Sequence, residues 1–592
     1  MTNCQPSSTS PALEAQGIVK QFIRPGQSSP VTALSGVSLT VRTGSLTAII
    51  GPDGAGKTTF MRLVCGLLKS DAGSLSVLGM DVASHPQAVQ DHIGYMPQKF
   101  GLYEDLSVQE NLDLYANLHA VPQAVRQERF KKLLDLTGLS PFTKRMAGKL
   151  SGGMKQKLGL ACTLVSMPPL LLLDEPTVGV DPLSRRELWQ ILDTLSASGS
   201  LTILVATAYL EEAEHCHDVY ILHKGHILAQ GAPDTLCHYA QGRCYVVRPP
   251  ENVPPRLIQA ALIDETEAVA DAVPEGGAVR FSLTPQASLK DLALPGLTVT
   301  AVPARLEDSF MSLLRQQEPS LPSHYSRPDM TAAKRVETGR KIIEVRDIVR
   351  RFGDFIAVNH TSFSVYEGEI FGLLGPNGAG KSTTFRMLCG LLPVSSGQIS
   401  IAGVNLRTAR AQARAHIGYV AQKFSLYTTL SVEENLRFFG SAYGLRGRRL
   451  DQRIEAVIEE FDLSGFRHMP AGSLPGGYKQ RLSMAAALLH EPPILFLDEP
   501  TSGIDPLARR LFWRQITDLS AKGTTIIVTT HFMEEAEYCD RMALIYRGAM
   551  ISMGTPDALK ASCRGMEGVP DDPTLEDAFI ASIRRYDAEH PQ

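Results

Sequence analysis

The apolar positions of this 592-residue chain fall in short runs separated by glycines and polar residues. The runs SLTAII and EIFGLL each stand before a glycine-rich loop, and LLLLDE and ILFLDE each end in two acidic residues. Short apolar runs bounded by turn residues are typical of strands buried on both faces. No run approaches the roughly 18–20 residues needed to cross a bilayer, so we expect no membrane span in this chain.

The whole pattern occurs twice. GPDGAGKTT recurs as GPNGAGKST, IGYMPQKFGLY as IGYVAQKFSLY, LSGGMKQKL as LPGGYKQRL, and LLLLDEPTVGVDP as ILFLDEPTSGIDP. Lys57 and Lys381 are 324 residues apart, and after one extra residue near positions 198–200 the offset becomes 323, so that Glu211 matches Glu534. A constant offset over so many motifs indicates two homologous domains.

The first copy is followed by a region of different character. The alternating stretches CYVVRP, AVRFSL and LTVTAV surround a helical LIQAAL, which predicts a small α+β appendage of the first domain. It closes with RLEDSFMSLL, a helix that TLEDAFIASI repeats at the end of the chain, and a polar, proline-containing linker joins the copies. The predicted boundaries are domain 1 at 11–240, the appendage at 241–315, the linker at 316–341, domain 2 at 342–565 and a helical extension at 566–592.

Composition and charge bear on three further questions: binding to nucleic acid, the state of the cysteines and a secretory signal. The chain is 44% apolar and 20% charged, as in ordinary globular proteins, and its net charge of −4 argues against binding nucleic acid through the overall field. Its nine cysteines include no C-x-x-C pair, which predicts reduced thiols. MTNCQPSSTS has neither a basic nor an apolar region, so we expect no secretory signal.

Both glycine-rich loops follow the pattern G-x-x-x-x-G-K-[ST] between a predicted strand and a predicted helix, the context that a phosphate-binding P-loop requires. The backbone N–H groups cradle phosphates, the lysine meets the β- and γ-phosphates, and the hydroxyl of Thr58 or Ser382 binds Mg²⁺. The candidate ATP-binding residues are Gly51, Gly54, Gly56, Lys57, Thr58 and Thr59 in the first copy and Gly375, Asn377, Gly378, Gly380, Lys381, Ser382 and Thr383 in the second.

The acidic pairs supply the rest of a hydrolytic site. Asp174 and Asp498 end the apolar strands and are candidate Mg²⁺ ligands. Glu175 and Glu499 follow them as candidate general bases that polarise the attacking water. A lone apolar run ending in Asp–Glu is usually a strand end with solvated acids, but its recurrence in register behind both P-loops favours the catalytic interpretation.

The LSGG-type sequence, the glutamine after IGY, the DEPT run and the following GVDP or GIDP together resemble the ABC transporter ATPase domain over about three quarters of the chain. This resemblance implies an α/β fold of two P-loop NTPase domains, each with an α-helical signature subdomain, that pair head to tail around ATP and Mg²⁺. Further residues gain roles from it. Gln98 and Gln422 would sense Mg²⁺ and the membrane partner, Asp181 and Asp505 would form D-loops, and His531 would contact the γ-phosphate. The implied signature residues are Ser151, Gly152, Gly153, Gly476 and Gly477, and the candidate adenine-stacking rings, for which core packing is the alternative, are Phe22 and Phe352.

Three positions depart from the family pattern. Ala208 stands where His531 stands in the second copy, Pro475 replaces the signature serine, and Asp53 replaces the counterpart of Asn377. In the head-to-tail arrangement all three would fall on the site of the first P-loop. The sequence therefore predicts one hydrolytic and one degenerate site, with drift in a tolerant family as the alternative because Glu175 is intact.

The EEAE run, the LEDxF helix and the tandem fusion resemble the ATP-binding subunits of bacterial ABC-2-type multidrug exporters. That resemblance implies a pair of integral-membrane ABC-2 permeases as partners, a peripheral location on the cytoplasmic side of the inner membrane, and no nucleic acid partner. Residues 100–103 and 424–427 are candidate permease contacts, with local packing as the alternative.

Two other classes of ATPase are alternatives to an exporter subunit. A tandem-cassette translation factor is the competing class, but the region between the copies lacks the long charged helices of that group. A DNA-repair ATPase is a third class, but it would be expected to show zinc-binding cysteine pairs, and this sequence has none. The transported substrate is not written in this chain.

Overall fold

The structure is a computed structural model, and it describes residues 11–23, 30–98, 101–197, 199, 201–250, 253–292, 296–317, 339–501 and 504–590. The linker expected at 316–341 lies largely outside these residues. The chain divides into two compact units. One contains residues up to Gly242 together with Pro303–Glu318 and Asp505–Leu507, and the other contains Arg243–Val302 and most of the chain after residue 318.

The first unit holds the first cassette, residues 11–242 and 303–317. Its strands are β1 (Leu13–Phe22), β2 (Val31–Val41), β3 (Leu46–Ile50), β4 (Ala72–Val77), β5 (Met80–Asp81), β6 (Ile93–Met96), β7 (Leu170–Asp174), β8 (Thr202–Thr207), β9 (Asp218–His223) and β10 (His226–Gly231). Its helices are α1 (Lys57–Val64), α2 (Pro86–Gln90), α3 (Val108–Leu118), α4 (Gln123–Thr137), α5 (Gly152–Leu164), α6 (Pro182–Ala197), α7 (Leu210–Ala213) and α8 (Pro233–Leu236).

The inserted domain, residues 243–302, follows in the chain but belongs to the second unit. It contains β11 (Cys244–Val247), α9 (Pro255–Asp264), β12 (Val269–Glu275), β13 (Ala278–Leu283) and β14 (Val299–Ala301), and the chain then returns to the first cassette with α10 (Leu306–Gln317). Its strands form one antiparallel sheet in the order β12-β13-β11-β14. Its position in the sequence suggested an appendage of the first domain, whereas its contacts group it with the second cassette.

The second cassette, residues 339–590, repeats the first. Its strands are β15 (Lys341–Phe352), β16 (Phe355–Tyr366), β17 (Ile370–Leu374), β18 (Ser396–Ile401), β19 (Val404–Asn405), β20 (Ile417–Val420), β21 (Ile494–Asp498), β22 (Thr525–Thr530), β23 (Arg541–Tyr546) and β24 (Ala549–Gly554). Its helices are α11 (Lys381–Leu388), α12 (Arg410–Arg414), α13 (Val432–Ala442), α14 (Gly447–Glu460), α15 (Gly476–Leu488), α16 (Pro506–Ala521), α17 (Met533–Ala536), α18 (Pro556–Ala561) and α19 (Leu575–Glu589).

Each cassette combines an antiparallel four-stranded sheet with a mostly parallel six-stranded sheet. The parallel sheet runs β10-β9-β3-β8-β7-β6 in the first cassette and β20-β21-β22-β17-β23-β24 in the second. The central strands β3, β7, β17 and β21 are buried along their whole length, as the uninterrupted apolar runs predicted. The carboxyl ends of these strands meet at one edge of each sheet, and such edges hold ligands in open α/β folds.

Candidate functional site

Both P-loops are shaped for the approach of a ligand to backbone N–H groups. Helices α1 and α11 begin at the P-loop lysines, and the residues that precede them, Gly56 and Gly380, have φ of 111° and 103°. A Cβ on Gly51 or Gly375 would overlap the carbonyl oxygen of the neighbouring strand β9 or β23. Glycine is therefore required at these places, and the exposed N–H groups at each helix start fit an anionic phosphate.

The P-loop lysines are buried beside the candidate bases. Lys57 Nζ donates to the Gly51 carbonyl at 2.7 Å and lies 3.4 Å from Glu175 Oε1. Lys381 Nζ donates to the Gly375 carbonyl at 2.6 Å and lies 4.0 Å from Glu499 Oε1. Each lysine is only 4% exposed, so its charge faces the loop, where a phosphate would be bound.

The candidate metal ligands form a cluster of oxygen donors. Thr58 Oγ1 donates to Asp174 Oδ1 at 3.0 Å, and Ser382 has the same position on α11 that Thr58 has on α1. Asp498 Oδ1 accepts from Thr529 Oγ1 at 2.7 Å. Burial raises the pKa of both aspartates above the usual value. Hard hydroxyl and carboxylate oxygens are the ligands that Mg²⁺ prefers, so these residues fit that ion.

The two candidate general bases adopt an unusual backbone conformation. Glu175 and Glu499 have φ of 52° and 45°, in the left-handed region that is costly for a non-glycine residue. Gln98 Nε2 donates to Glu175 Oε2 at 2.6 Å, and Gln422 Nε2 donates to Glu499 Oε2 at 2.7 Å. The structure thus brings the predicted glutamine and the predicted base of each cassette into direct contact.

His531 makes the two cassettes differ. Its Nδ1 lies 3.4 Å from Glu499 Oε2, and its side chain is 1% exposed. Burial raises the pKa of Glu499, but His531, Lys381 and Gln422 together lower it further, so that it lies below the usual value. In the first cassette the half-buried Ala208 occupies this position and offers Glu175 no polar side-chain atom.

The signature helices also differ. Ser151 caps α5, and its Oγ accepts from the Met154 N–H at 3.3 Å. Pro475 takes the same place before α15, with φ of −56° and no side-chain cap. Gly152 and Gly153 open α5, as Gly476 and Gly477 open α15. Proline has no N–H and no hydroxyl, so this helix start offers fewer donors to an anion.

Asp53 places a carboxyl group inside the first P-loop. Burial raises its pKa from the ordinary value of 3.8 to about 6. An ionised Asp53 would repel phosphate, whereas Asn377 at the matching position of the second P-loop is uncharged.

The remaining predicted residues lie at the edges of the cassettes. Phe22 and Phe352 end strands β1 and β15, are 39% and 48% exposed, and lie under the cationic ends of Lys20 and Arg350 at 5.6 and 4.5 Å. Core packing, the alternative for these rings, does not describe such exposure. Phe100 lies outside the described residues. The predicted D-loop residues Asp181 and Asp505 precede α6 and α16 directly.

The structure adds contacts that sequence reasoning missed. The Tyr95 hydroxyl donates to Asp174 Oδ2 at 3.3 Å, and Thr529 supports Asp498. The fully buried Glu535 accepts from Thr501, which lies two residues after Glu499, and from Thr530, at 2.6 Å, just before His531. Glu212 makes the matching contacts in the first cassette. The EEAE run that contains Glu212 and Glu535 was the sequence signal for these contacts, but it was used only to identify the family.

Each cassette is a P-loop NTPase domain. It has a glycine-rich loop that can cradle phosphates, a buried lysine, an Asp–Glu pair at the end of a strand and a mixed α/β sheet. Residues 34–178 and 358–502 match the family model described as ABC transporter. The chain is 50% identical over 584 residues to the probable multidrug ABC transporter ATP-binding protein YbhF of Escherichia coli (strain K12), covering 98% of this chain and 99% of that relative. It is 43% identical over 244 residues to Nod factor export ATP-binding protein I of Burkholderia lata, covering 40% of this chain and 80% of that relative.

A solved structure described as the ATP binding subunit of an ABC transporter shares 30% identity, with coverage of 41% of this chain and 99% of that chain and a TM-score of 0.37. The nearly full-length match establishes the family. The chain belongs to the ATP-binding proteins of ABC transporters, and its two tandem cassettes are ATPase domains that bind ATP.

Proposed function

We propose that this chain is the energy-coupling subunit of an exporter, in which ATP hydrolysis drives efflux of drugs or antibiotics through a separate pair of ABC-2 membrane subunits. The full-length similarity to a protein named as a multidrug transporter subunit supports this assignment. In the described part of the chain, no helix has the length and apolarity to cross a membrane. We place the protein on the cytoplasmic side of the inner membrane, held there by its membrane partners.

We further propose that the second cassette contributes the hydrolytic machinery. The observation that carries this proposal is the contact of His531 with Glu499, for which Ala208 provides no equivalent. In the head-to-tail pairing that the family resemblance implies, Ser151 would serve the second P-loop and Pro475 the first. The first site would then bind ATP and turn it over slowly.

The residues of the second cassette divide the chemistry among them. The P-loop N–H groups and Lys381 bind the phosphates, and Ser382 with Asp498 would hold Mg²⁺, which neutralises charge on the phosphates when bound. Glu499, kept ionised by its lowered pKa, accepts a proton from the attacking water. His531 and Gln422 both contact Oε2 of that carboxylate and hold it in place.

An exposed aromatic cluster of the second cassette is our candidate for permease contact. Tyr427 and Phe438 are 49% and 47% exposed, and their rings meet edge to face at 4.9 Å. Exposed apolar patches of this kind mark interaction sites. Tyr103, the counterpart of Tyr427, is 58% exposed in the first cassette.

ATPase activity of the assembled complex tests the division of labour. Lys381→Ala is expected to abolish nearly all turnover, whereas Lys57→Ala is expected to leave a large fraction of it. Equal losses from the two substitutions would contradict the asymmetry. Fractionation tests the exporter assignment independently, because the subunit should sediment with membranes; recovery with ribosomes at low salt would contradict it.

A further inference from the structure

The inserted domain has an apolar core of its own. That core includes Val247, Ile258, Leu262, Val269 and Phe281, and it shares no residue with the core cluster that underlies α16 in the second cassette. Charged groups of both parts form contacts between them.

Three arginine–aspartate pairs join the inserted domain to the second cassette. Two of them are bidentate, with two N–H groups of one guanidinium donating to the two oxygens of one carboxylate, the geometry that gives the strongest ion pairs. Each arginine is 6% exposed or less. The pairs are Arg256 with Asp540 at 3.0 and 3.1 Å, Arg514 with Asp264 at 2.7 and 2.8 Å, and Arg510 with Asp271 at 3.2 and 3.4 Å.

The first cassette lacks two of the three cassette residues of this docking surface, although an exposed arginine, Arg186, stands where Arg510 stands in the second cassette. Gln190 replaces Arg514 at the matching position and His217 replaces Asp540, and both side chains are exposed. His217 Nδ1 nevertheless accepts the Leu46 N–H at 3.1 Å, just as Asp540 accepts the Ile370 N–H at 2.9 Å. The framework contact is thus common to both copies, whereas the first copy lacks the counterparts of Arg514 and Asp540.

The arginines that pair with the inserted domain lie on α16, next to a residue that contacts the segment after His531. Arg509, next to Arg510 on α16, donates to Glu534 at 2.8 Å and lies over the Phe532 ring at 5.2 Å, directly after His531. The far end of the same segment meets the inserted domain, since Glu537 accepts the Gly276 N–H at 3.1 Å. Both ends of residues 532–540 are therefore held by elements that the inserted domain contacts.

We propose that the inserted domain is a positioning domain for the second nucleotide site. By pairing with α16 and with Asp540 it fixes residues 532–540 and thereby keeps His531 against Glu499. Arg510, Arg514 and Asp540 are positioning residues, because they act through His531. This inference rests on the proposed function only in that turnover at the second site is its activity readout.

The test uses the full chain in its assembled complex, in a Lys57→Ala background that isolates the second site. Arg514→Gln with Asp540→His introduces the residues that the first copy already carries, so the cassette retains a compatible side chain at each place. Asp264→Lys with Asp271→Lys attacks the same pairs from the inserted domain. Gln190→Arg with His217→Asp, at exposed positions of the first cassette, is the matched control.

Both docking variants should raise amide hydrogen exchange in α9 at least about tenfold and lower kcat about tenfold, with KM for ATP changed less than about twofold. The control should change neither quantity. Adding His531→Ala to the docking variants should lower kcat no further than His531→Ala alone, because both changes remove the same contact. Restoring one pair in reversed polarity, with Asp264→Arg and Arg514→Asp, should recover part of the exchange protection.

Two results would overturn the inference. Unchanged exchange in both docking variants would show that the ion pairs do not hold the inserted domain. Raised exchange with unchanged kcat would show that docking does not position His531. Failure of the proposed function looks different, because turnover would then survive Glu499→Gln in the same background, while the exchange measurement would still decide whether the pairs hold the domain.

Discussion

Glu535 is a carboxyl group that the fold should keep protonated well above the pH at which a free glutamate ionises. It is completely buried between Thr501 and Thr530, and burial raises its pKa from the ordinary 4.5 to about 7. We therefore consider Glu535→Gln, which preserves the shape of the side chain and one acceptor oxygen. The variant mimics the neutral acid at every pH.

The magnitude follows from the difference between the folded and unfolded pKa. Below about pH 4.5 both states are protonated and the group contributes no pH dependence. Between 4.5 and about 7 only the unfolded chain loses the proton, so the free energy of unfolding falls as the pH rises and is constant above about 7. At about 1.4 kcal/mol for each pH unit, this window corresponds to about 3 kcal/mol.

The glutamine variant should therefore unfold at nearly the wild-type temperature at pH 4.5 and at a higher temperature at pH 8. About 3 kcal/mol corresponds to about 6–12 °C for a unit of this size. Scanning fluorimetry at both pH values measures the difference, with the exposed Glu459→Gln as the control. A variant less stable than wild type at pH 8 would refute the reasoning, because it would mean that Arg509, whose Nε is 3.9 Å away, keeps the carboxylate ionised.

Two further substitutions test the geometry of the second site. Thr529→Val keeps the buried shape but removes the hydroxyl that donates to Asp498, a hydrogen bond to a charged group worth about 1.5–3 kcal/mol. ATPase activity in the Lys57→Ala background should therefore fall about tenfold or more, and half-maximal activity should need more Mg²⁺. Unchanged Mg²⁺ dependence would contradict this expectation. In the same Lys57→Ala background, Gly375→Ala should strongly reduce binding of a fluorescent ATP analogue at the second site, because its Cβ overlaps a strand carbonyl. Gly465→Ala, with open space around it, should bind normally. Equal binding by the two variants would contradict the tight packing of the P-loop.

The strands and loops that build each nucleotide site were predictable because local sequence determines them. An apolar run, a glycine loop and a helix-forming segment specify β17, the P-loop and α11 without long-range information. The family resemblance assigned Gln422 to the site, but its contact with Glu499 was not predicted. Thr529 was missed because a threonine inside an apolar strand carries no sign of the carboxylate beside it.

The docking of the inserted domain could not be predicted, since it depends on pairs distant in sequence. Arg256 and Asp540 are 284 positions apart, and Arg514 and Asp264 are 250 apart. A charged residue on a predicted helix usually faces solvent, and nothing in its neighbourhood identifies a partner so far along the chain. Sequence order favoured attachment to the preceding domain, and the charge complementarity that decides the matter is visible only in three dimensions.

The duplication allows the two cassettes to serve as controls for each other, and the comparison bears on the origin of their asymmetry. Drift in a dispensable site would remove groups from the first copy, as Ala208 in place of His531 could represent. It does not explain polar groups that the second copy has and that pair with partners outside the repeat, such as Arg514 with Asp264 and Asp540 with Arg256. A buried arginine without its carboxylate would destabilise the fold by about 3–5 kcal/mol, so such pairs must be matched on both sides. Their restriction to the cassette that also carries His531 favours a second site specialised for hydrolysis over a first site that has merely decayed.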